Sequence, residues 1–480
     1  MSLQIFNSFS GKKEKFIPLK KGCASIYVCG PTVYSDSHIG HAKAYVSFDI
    51  ILRYLRYCRY KTFYVQNITD VGHLLGEDEN GEDRMLKRAY ELDLEPMVVA
   101  ENFTRRHFEV MDSLNVIRPD ISPRATGHIP EQLEVIENLL KKGLAYESNG
   151  SVYFEICKDP NYGDLSNRKI DQMKGGARVK VLSEKRHPGD FALWKKAEKG
   201  HLMRWRDPFS GWGYPGWHTE CVVMSTRYLG NEFDIHGGGM DLKFPHHECE
   251  IAQARGLEKP FARNWMHTNM LTVEGQKMSK SSGNFITLFD LFKKFDPIVV
   301  RYFITSSHYR SVIDFSENAL RDAMISLNRL KQTVINLRKK IDKKVNPSGK
   351  YFDDLRKRFC DAMDDDFSTP KAVAILFELS HLANNVLSQK DPNLEAIIDA
   401  ENLFSKLGGD ILGIIPDDSS TFENDVANLN DIMEILIELR KEFRMNKDFK
   451  NADLIRTRLN GIGIEIKDSP EGTVWEKNKK

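Results

Sequence analysis

Two histidines stand in the first stretch of the sequence whose residue types could do chemistry. Residues 30–41 read Gly-Pro-Thr-Val-Tyr-Ser-Asp-Ser-His-Ile-Gly-His, which puts Gly40 between His38 and His41. Apolar residues recur at helical spacing from here on, so both histidines fall on one face of a first helical turn. A helix N-terminus attracts phosphate, and a glycine lets a flat group approach the backbone. The segment predicts a phosphate site, although two ordinary turn histidines would give the same short pattern.

Two lysines form the second candidate. The stretch Lys277-Met-Ser-Lys280-Ser281 is followed by Ser-Gly, which indicates a loop with small hydroxyl side chains. Lysines in such a loop could reach a polyphosphate and neutralise the negative charge that develops when it is attacked. A solvated basic loop without chemistry is the alternative.

A candidate metal site is spread over distant segments. Cys29 follows the first predicted strand, and Cys221 ends the stretch Gly-Trp-His-Thr-Glu-Cys. His246 and Glu250 lie in Phe-Pro-His-His-Glu-Cys-Glu. Two thiolates, one imidazole and one carboxylate suit zinc. The two cysteines are far apart in the chain, however, and a buried cysteine by itself is more often a small core residue.

The spacing after Pro245 decides which ligands can act together. Proline is a favoured first residue of a helix, so His246 and Glu250 stand at i and i+4 on one helix face and can hold a single ion. His247 and Cys249 are competing ligands in the same segment. We expect these two to point to other faces of that helix.

The elements that must position these residues predict an α/β fold. Residues 25–29 read as a buried strand, residues 41–58 as a helix and residues 61–67 as a second strand. This order forms a βαβ unit and predicts a Rossmann-like parallel sheet. One long helical stretch is expected over residues 83–114, after which three prolines begin an insertion that ends near Pro215. Strand character returns at Phe233–His236, and beyond about Ala319 the pattern is helical almost to the end.

The bulk composition narrows the class of protein. At 480 residues the chain needs several domains, and 41% hydrophobic with 29% charged residues is ordinary for a globular protein. A net charge of +1 means that any nucleic-acid surface must be a local patch. Seven cysteines, an odd number without a signal peptide, argue against a disulfide framework. No membrane-spanning stretch is predicted, and the expected location is the cytoplasm.

The first two motifs together resemble the signatures of class I aminoacyl-tRNA synthetases. His38 and His41 match the HIGH motif, and Lys277–Ser281 match KMSKS letter for letter. Two longer segments, residues 28–34 and 233–250, are similar to those of cysteinyl-tRNA synthetases. The resemblance runs over nearly the whole chain. It implies an ATP-dependent enzyme that joins L-cysteine to tRNA(Cys) through a cysteinyl-adenylate.

The resemblance also implies roles for single residues. The implied zinc ligands are Cys29, Cys221, His246 and Glu250, and the zinc would take the substrate thiolate as a further ligand. The implied ATP-binding and catalytic residues, with Mg²⁺ on the phosphates, are His38, Gly40, His41, Lys277 and Lys280. The implied amino-acid pocket includes Thr69 and Trp217. Residues 71–83 depart from the pattern of many members, and no role is assigned to them.

Domain boundaries follow from the same resemblance, and a monomer is expected. The predicted segments are the first half of the catalytic domain with the HIGH motif (1–118), the insertion (119–215), the second half with the zinc ligands (216–270), the KMSKS and stem-contact region (271–319), a helical bundle (320–412) and an anticodon-binding domain (413–480). Basic residues interleave with aromatic ones in the last segment, which suits unpaired bases as well as a solvated helix face. The basic residues are Arg440, Lys441, Arg444, Lys447, Lys450, Arg456 and Arg458, and the aromatic ones are Phe443, Phe449 and Trp475.

Three other functions fit parts of this pattern. A ligase that joins cysteine to an amino-sugar would share the catalytic domain but would lack the C-terminal segment, which is present through Trp475. A synthetase-like protein without activity should have lost one of the three motif sets, and all three are intact. A purely structural zinc site would favour a closed shell of cysteine and histidine over a glutamate ligand.

Overall fold

The computed structural model describes residues 2–71, 84–170, 184–278, 285–341, 347–416, 420–469 and 472–477. The chain forms two compact units, Met1–Ile415 and Pro416–Lys480. Within the described ranges, every helix is too short or too polar to cross a bilayer. The finer domain boundaries stay predictions.

The described elements are numbered in chain order. The strands are β1 (Gln4–Asn7), β2 (Lys12–Lys15), β3 (Cys23–Val28), β4 (Lys61–Gln66), β5 (Ala145–Ser148), β6 (Ser151–Phe154), β7 (Phe191–Lys196), β8 (Gly213–Pro215), β9 (Glu232–Gly239), β10 (Phe261–Thr268), β11 (Leu271–Val273), β12 (Gln276–Lys277), β13 (Ile313–Phe315), β14 (Ile464–Ser469) and β15 (Gly472–Lys477). The helices are α1 (Ile39–Tyr57), α2 (Arg84–Leu92), α3 (Pro96–Ser113), α4 (Ile129–Lys141), α5 (Trp217–Leu229), α6 (Glu248–Gly256), α7 (Leu288–Phe292), α8 (Pro297–Thr305), α9 (Glu317–Arg338), α10 (Asp353–Asp364), α11 (Thr369–Leu387), α12 (Leu394–Leu403), α13 (Ser420–Met445) and α14 (Phe449–Gly461).

A parallel sheet in the order β10-β9-β3-β4 forms the centre of the first unit. Ile26 of β3 lies opposite Tyr64 of β4 on one side and Ile235 of β9 on the other. The predicted parallel sheet is therefore confirmed. β9 runs past its predicted end through three glycines, and a Cβ atom on Gly237 would lie 2.3 Å from the ring of Phe48 in α1. The glycine thus lets α1 pack closely on the sheet.

The insertion separates the two halves of this sheet, as predicted. It contains α4 and an antiparallel sheet in the order β5-β6-β7-β8. Its core is built around the fully buried Trp194 and Phe154, and it includes Cys249 and Ala252 of α6. The insertion is thus anchored on the helix that carries one of the predicted metal ligands.

The structure interrupts two stretches that were predicted to be helical, residues 83–114 and part of the region beyond Ala319. The stretch expected over residues 83–114 becomes α2 and α3, because Asp93 adopts a left-handed backbone with φ of 52° and Pro96 starts a new helix. Lys447, with φ of 60°, divides α13 from α14 in the same way. Left-handed conformations are uncommon for residues other than glycine, so the sequence did not reveal these breaks.

The prediction that the chain is helical almost to its end missed one element. β14 and β15 form an antiparallel hairpin after α14, with Ile466 opposite Trp475. Ile464 and Ile466 pack with Leu459 and Met433 in a small core of the second unit. Ile464 and Ile466 alternate with Glu465, and this alternation gives the strand one buried face.

Candidate active site

The predicted metal ligands meet at the carboxyl end of the central sheet, which is the edge where parallel sheets bind ligands. Cys29 directly follows β3, and Cys221 lies on α5. His246 lies on the π-helical turn Lys243–His247, and Glu250 lies in the first turn of α6. All four side chains are buried, and each is at most 5% exposed.

Distances within this group are short enough for one ion. One ligand atom from each of Cys29, Cys221, His246 and Glu250 lies within 4.8 Å of all the others. The two sulfur atoms are 3.7 Å apart, and Glu250 Oε1 lies 3.0 Å from His246 Nε2 and 3.8 Å from Cys29 Sγ. The i and i+4 spacing predicted for His246 and Glu250 therefore brings them together as expected.

The expected direction of His247 is wrong. Its Nε2 lies 3.3 Å from Cys29 Sγ and 4.0 Å from Glu250 Oε1. His247 precedes Glu250 by three residues, and positions i and i+3 of a helix share a face just as i and i+4 do. Cys249 does point elsewhere, because its sulfur lies 3.4 Å from Tyr162 Oη in the core of the insertion.

His247 creates a second, overlapping quartet. Cys29, His236, His247 and Glu250 also offer ligand atoms within 4.8 Å of one another. His236 Nε2 lies 2.8 Å from Glu250 Oε2, and His247 Nδ1 lies 2.8 Å from His267 Nε2. In this arrangement His236 donates to the outer carboxylate oxygen, and His267 orients His247, whose Nε2–H can donate to the sulfur of Cys29. These histidines thus have the geometry of groups that orient ligands, and the quartet with two thiolates is the better zinc site.

The charges in the cluster suit a cation. Burial raises the pKa of the Cys29 thiol well above its usual value, and the hydrogen bond to Cys221 adds to this. For Cys221, burial acts in the same direction, but the hydrogen bond from Cys29 and the charge of His246 lower its pKa to about 6. Burial also raises the pKa of Glu250, yet His236 and His246 bring it down to about 2. One thiolate and one carboxylate are therefore ionised at neutral pH, and a bound metal ion would release the protons that remain.

The two motif histidines cap α1. Gly40 N–H donates to His38 Nδ1 at 3.1 Å, and His38 N–H donates to His41 Nδ1 at 3.2 Å. The rings stack with centroids 3.8 Å apart. Burial, together with the charges of His38 and His107, lowers the pKa of His41 well below its usual value. His41 is therefore neutral with its proton on Nε2, which makes that nitrogen a donor for a phosphate oxygen.

Replacing Gly40 with alanine is expected to lower the rate of ATP use about tenfold. A Cβ atom on Gly40 would lie 2.9 Å from Cε1 and Nδ1 of His38, so the histidine ring would have to shift. A displacement of this size in a positioning group typically costs one to two orders of magnitude in rate, roughly 10–100-fold. The measurement is kcat of ATP–pyrophosphate exchange, with Gly127→Ala as the control, because a Cβ atom there meets nothing within 4 Å. Equal kcat values for the two variants would contradict this role of Gly40.

The lysine motif is described only in part. Lys277 ends β12, but its side chain lies outside the described residues, as do Lys280 and Ser281. Met278 lies against the histidine turn, because its Cε is 3.7 Å from the Cβ position of Gly40. The motif therefore begins beside the predicted phosphate site, and the roles of both lysines stay predictions. Residues 72–83, to which no role was assigned, also lie outside the described residues.

Thr69 and Trp217 lie near the candidate metal ligands. The Trp217 ring stacks on His246 with centroids 4.3 Å apart. Thr69 Oγ1 donates to Glu220 Oε2 at 3.0 Å and accepts from Asn67 Nδ2 at 3.1 Å. The structure thus places Trp217 against a predicted ligand, and it links Thr69 to Cys221 through Asn67, whose Oδ1 lies 3.8 Å from Cys221 Sγ. Contact of either residue with a substrate stays a prediction.

Sequence reasoning missed several buried partners of this site. Glu220 is fully buried, and burial together with the charge of Cys221 raises its pKa well above its usual value. Asn67 Oδ1 accepts from Gly30 N–H at 2.8 Å and thereby orients the backbone next to Cys29. A motif signal for Asn67 was present in Asn-Ile-Thr-Asp, whereas His236 and His267 stand in strands without any spacing that indicates chemistry.

Comparisons with known proteins point to one family. Residues 15–325 match the family of the tRNA synthetases class I (C) catalytic domain, and residues 358–416 match the DALR domain. The cysteine–tRNA ligase of Chlorobaculum tepidum is 49% identical over 488 aligned positions, which cover 100% of this chain and 99% of that protein. Those of Deinococcus radiodurans and Thermus thermophilus are 47% and 46% identical over 99% of this chain, and the alignments cover 97% and 99% of those proteins.

The chain belongs to the cysteine–tRNA ligases.

Membership of the cysteine–tRNA ligase family defines the reaction as the ATP-dependent attachment of cysteine to tRNA. The predicted family, enzyme class and function are thereby confirmed. The fold is shared more widely, since a Mycobacterium tuberculosis methionyl-tRNA synthetase in complex with methionyl-adenylate superposes with a TM-score of 0.59. That match covers 82% of this chain and 92% of the other at 13% identity, so it supports the fold alone.

Proposed function

We propose that Cys29, Cys221, His246 and Glu250 of this cysteine–tRNA ligase hold one zinc ion that selects the substrate. A zinc ion bound there would supply a Lewis acid with a preference for deprotonated sulfur. The single observation that carries this proposal is the buried quartet, whose four ligand atoms lie within 4.8 Å of one another. Serine differs from cysteine only in offering a harder hydroxyl in place of the thiol. A zinc ion would bind that hydroxyl more weakly than a thiolate and would thereby favour cysteine over serine.

The histidine turn and the lysine motif would act on ATP. His38 and His41 would donate to phosphate oxygens, the adenine would lie over Gly40, and ATP would bring Mg²⁺ with it. Lys277 and Lys280 would neutralise the β- and γ-phosphates. The carboxylate of cysteine attacks the α-phosphorus and breaks its bond to the bridging oxygen, which gives cysteinyl-adenylate and pyrophosphate. The nucleophile is already an anion, so positioning and charge stabilisation suffice without a general base.

The second unit would recognise the anticodon of tRNA(Cys), and Phe449 is its best candidate for base stacking. Of the three aromatic residues predicted for this task, Phe449 is 57% exposed, whereas Trp475 packs on the small core of the hairpin. Arg440 was predicted to contribute a positive charge but is 4% exposed, so it does not belong to the surface. The basic residues that remain exposed are Lys441, Arg444, Lys447, Lys450, Arg456 and Arg458.

Replacing Phe449 with alanine is expected to raise the KM for tRNA about tenfold. Stacking of one base on an aromatic ring contributes about 1–3 kcal/mol, which corresponds to roughly one to two orders of magnitude in affinity. ATP–pyrophosphate exchange should keep its wild-type rate, because the amino-acid site lies in the first unit. Leu454→Ala is a matched control, since Leu454 is an apolar residue of α14 that is 46% exposed. A KM for tRNA that does not change in Phe449→Ala would remove Phe449 from the proposed surface.

Two assays test the proposed function as a whole. Purified protein should catalyse ATP–pyrophosphate exchange that depends on cysteine and not on serine, and it should charge tRNA(Cys). Exchange without charging would favour the amino-sugar ligase, and absence of exchange would favour a protein without synthetase activity. We further propose that the protein acts in the cytoplasm and that it is a monomer. Gel filtration of the same preparation tests the oligomeric state, and fractionation of cells tests the location.

A further inference from the structure

Helix α3 holds the turn that precedes the two motif histidines. Arg106 donates from Nε and Nη2 to the two carboxylate oxygens of Asp36 at 2.5 and 2.9 Å. The next residue, His107, has Nδ1 2.9 Å from Ser37 Oγ. Burial lowers the pKa of His107 to about 4, so its ring is neutral at physiological pH. Two consecutive residues of α3 thus fix the side chains of the two residues before His38.

The opposite side of the same turn pairs with the chain that follows the lysine motif. Leu288 N–H donates to Ser37 O at 2.9 Å, and Ile39 N–H donates to Ile286 O at 3.4 Å. His38 and Thr287 form an antiparallel bridge between these hydrogen bonds. The Phe285 and His38 rings also make a T-shaped contact, with centroids 5.2 Å apart. The histidine turn therefore forms one strand of a short antiparallel pairing with residues 285–288.

Arg106 contacts the residues that flank this pairing on both segments. Its guanidinium carbon lies 4.0 Å from the centre of the Phe289 ring, while its nitrogens bind Asp36. A guanidinium can combine a bidentate carboxylate contact with stacking on an aromatic face, and a lysine cannot do both. One side chain of α3 therefore links the segment before the HIGH motif to the segment after the KMSKS motif.

We propose that Arg106 is a positioning residue that sets the spacing between the two ATP-binding motifs and thereby the rate of adenylate formation. The inference rests on the proposed roles of His38, His41 and the two lysines. The Arg106–Asp36 pair is partly exposed, with 43% and 24% of the side chains accessible, so its contribution to stability is small. A displacement of about 1 Å in a positioning group, by contrast, can lower a rate by roughly 100-fold.

Arg106→Ala is expected to lower kcat of ATP–pyrophosphate exchange about tenfold while the KM for cysteine stays unchanged. The proposed cysteine site is built from other segments, so loss of Arg106 should not change the binding of cysteine. Arg118→Ala is the matched control, because Arg118 also makes a bidentate contact, to Asp112, and lies 5.0 Å from the centre of the Phe108 ring. Among the described residues, that pair contacts neither the histidine turn nor residues 285–288, and Arg118→Ala should keep the wild-type kcat.

Two further measurements distinguish positioning from a general loss of structure. If Asp36 and Arg106 act as a unit, the double variant Asp36→Ala/Arg106→Ala should lose no more activity than Arg106→Ala alone. Hydrogen exchange at the amides of Ile39 and Leu288 should accelerate in Arg106→Ala and stay at the wild-type rate in Arg118→Ala. Multiplied losses in the double variant, or unchanged exchange at those amides, would overturn the inference.

The wild-type enzyme separates the two levels of proposal. A wild type without cysteine-dependent exchange refutes the proposed function and this inference with it. A fully active wild type with Arg106→Ala within twofold of its kcat refutes this inference alone.

Discussion

Replacing Cys221 with serine is expected to lower kcat/KM for cysteine roughly 1,000-fold and to remove most of the preference for cysteine over serine. Loss of a group that merely orients a metal ligand typically costs about 10–100-fold, and loss of a ligand should cost more. The hydroxyl of serine stays protonated at neutral pH, whereas the pKa of the Cys221 thiol is lowered to about 6 and provides an anion. The variant should therefore bind less than one zinc ion per chain.

The measurements are elemental analysis of zinc and exchange kinetics with cysteine and with serine. Cys249→Ser is the matched control, because Cys249 is also a fully buried cysteine of the same region, but its sulfur lies 3.4 Å from Tyr162 Oη and belongs to neither quartet of candidate ligands. It should keep one zinc ion per chain and the wild-type selectivity. Stoichiometric zinc and undiminished selectivity in Cys221→Ser would show that the quartet is not the selecting site.

The parts of the site that the sequence predicted depend on short spacing. His38 and Gly40 are local to one helical turn, and the contact between His246 and Glu250 follows from helical periodicity. Cys29 and Cys221 are 192 residues apart, and no periodicity links them. Only resemblance to a family could join these two, because the fold brings them together through the order of strands β9 and β3.

The residues of the site that the sequence did not predict are those whose positions depend only on tertiary packing. His236 and His267 lie in adjacent parallel strands and reach the cluster through Glu250 and His247. Nothing local in the sequence marks a strand histidine as such a partner. The direction of His247 was wrong for a different reason, because helical spacing allows both i+3 and i+4 to face Glu250 and the prediction used only one of them.

Helix boundaries show the same limit. The breaks at Asp93 and Lys447 depend on left-handed backbones at residues that usually avoid them. Such conformations cost free energy locally and persist because the packing of the flanking helices compensates for them. The pattern of apolar residues in a sequence does not indicate where the backbone is strained, because the packing that compensates for this strain lies elsewhere in the fold.

Replacing Asp49 with asparagine is expected to lower the free energy of unfolding by about 3–5 kcal/mol, as is typical when one partner of a buried ion pair is removed. Asp49 of α1 and Arg301 of α8 form an ion pair whose side chains are both 0% exposed. Arg301 also donates from Nε to Leu412 O at 2.7 Å and from Nη1 to Leu114 O at 2.9 Å. Without the carboxylate charge, the guanidinium would remain buried among neutral oxygens.

The ion pair joins α1, which begins at the motif histidines, to α8, and Arg301 extends the contact to the backbone of Leu412. Leu412 precedes Gly413, whose φ is +66° and whose Cβ position would lie 2.6 Å from Cζ of Arg301, so the backbone closes directly on the guanidinium. This packing leaves no room for water to solvate a charge that loses its partner. The destabilisation should therefore approach the value for a buried pair and exceed that for a surface pair.

Urea unfolding of the full chain, followed by tryptophan fluorescence, measures the effect. Glu232→Gln is the control, since Glu232 and Arg263 form a long-range pair with Oε1 and Nε 2.7 Å apart whose side chains are 36% and 43% exposed. Exposed pairs contribute about 1 kcal/mol or less, so this variant should unfold near the wild-type urea concentration. Similar midpoints for the two variants would contradict this prediction and would mean that the neutral oxygens around Arg301 compensate for the lost carboxylate charge. Arg53, which donates to the same oxygen of Asp49 at 2.8 Å, loses its partner in the variant as well. This loss should cost less, because Arg53 is partly exposed to water, whereas the Arg301 side chain is 0% exposed.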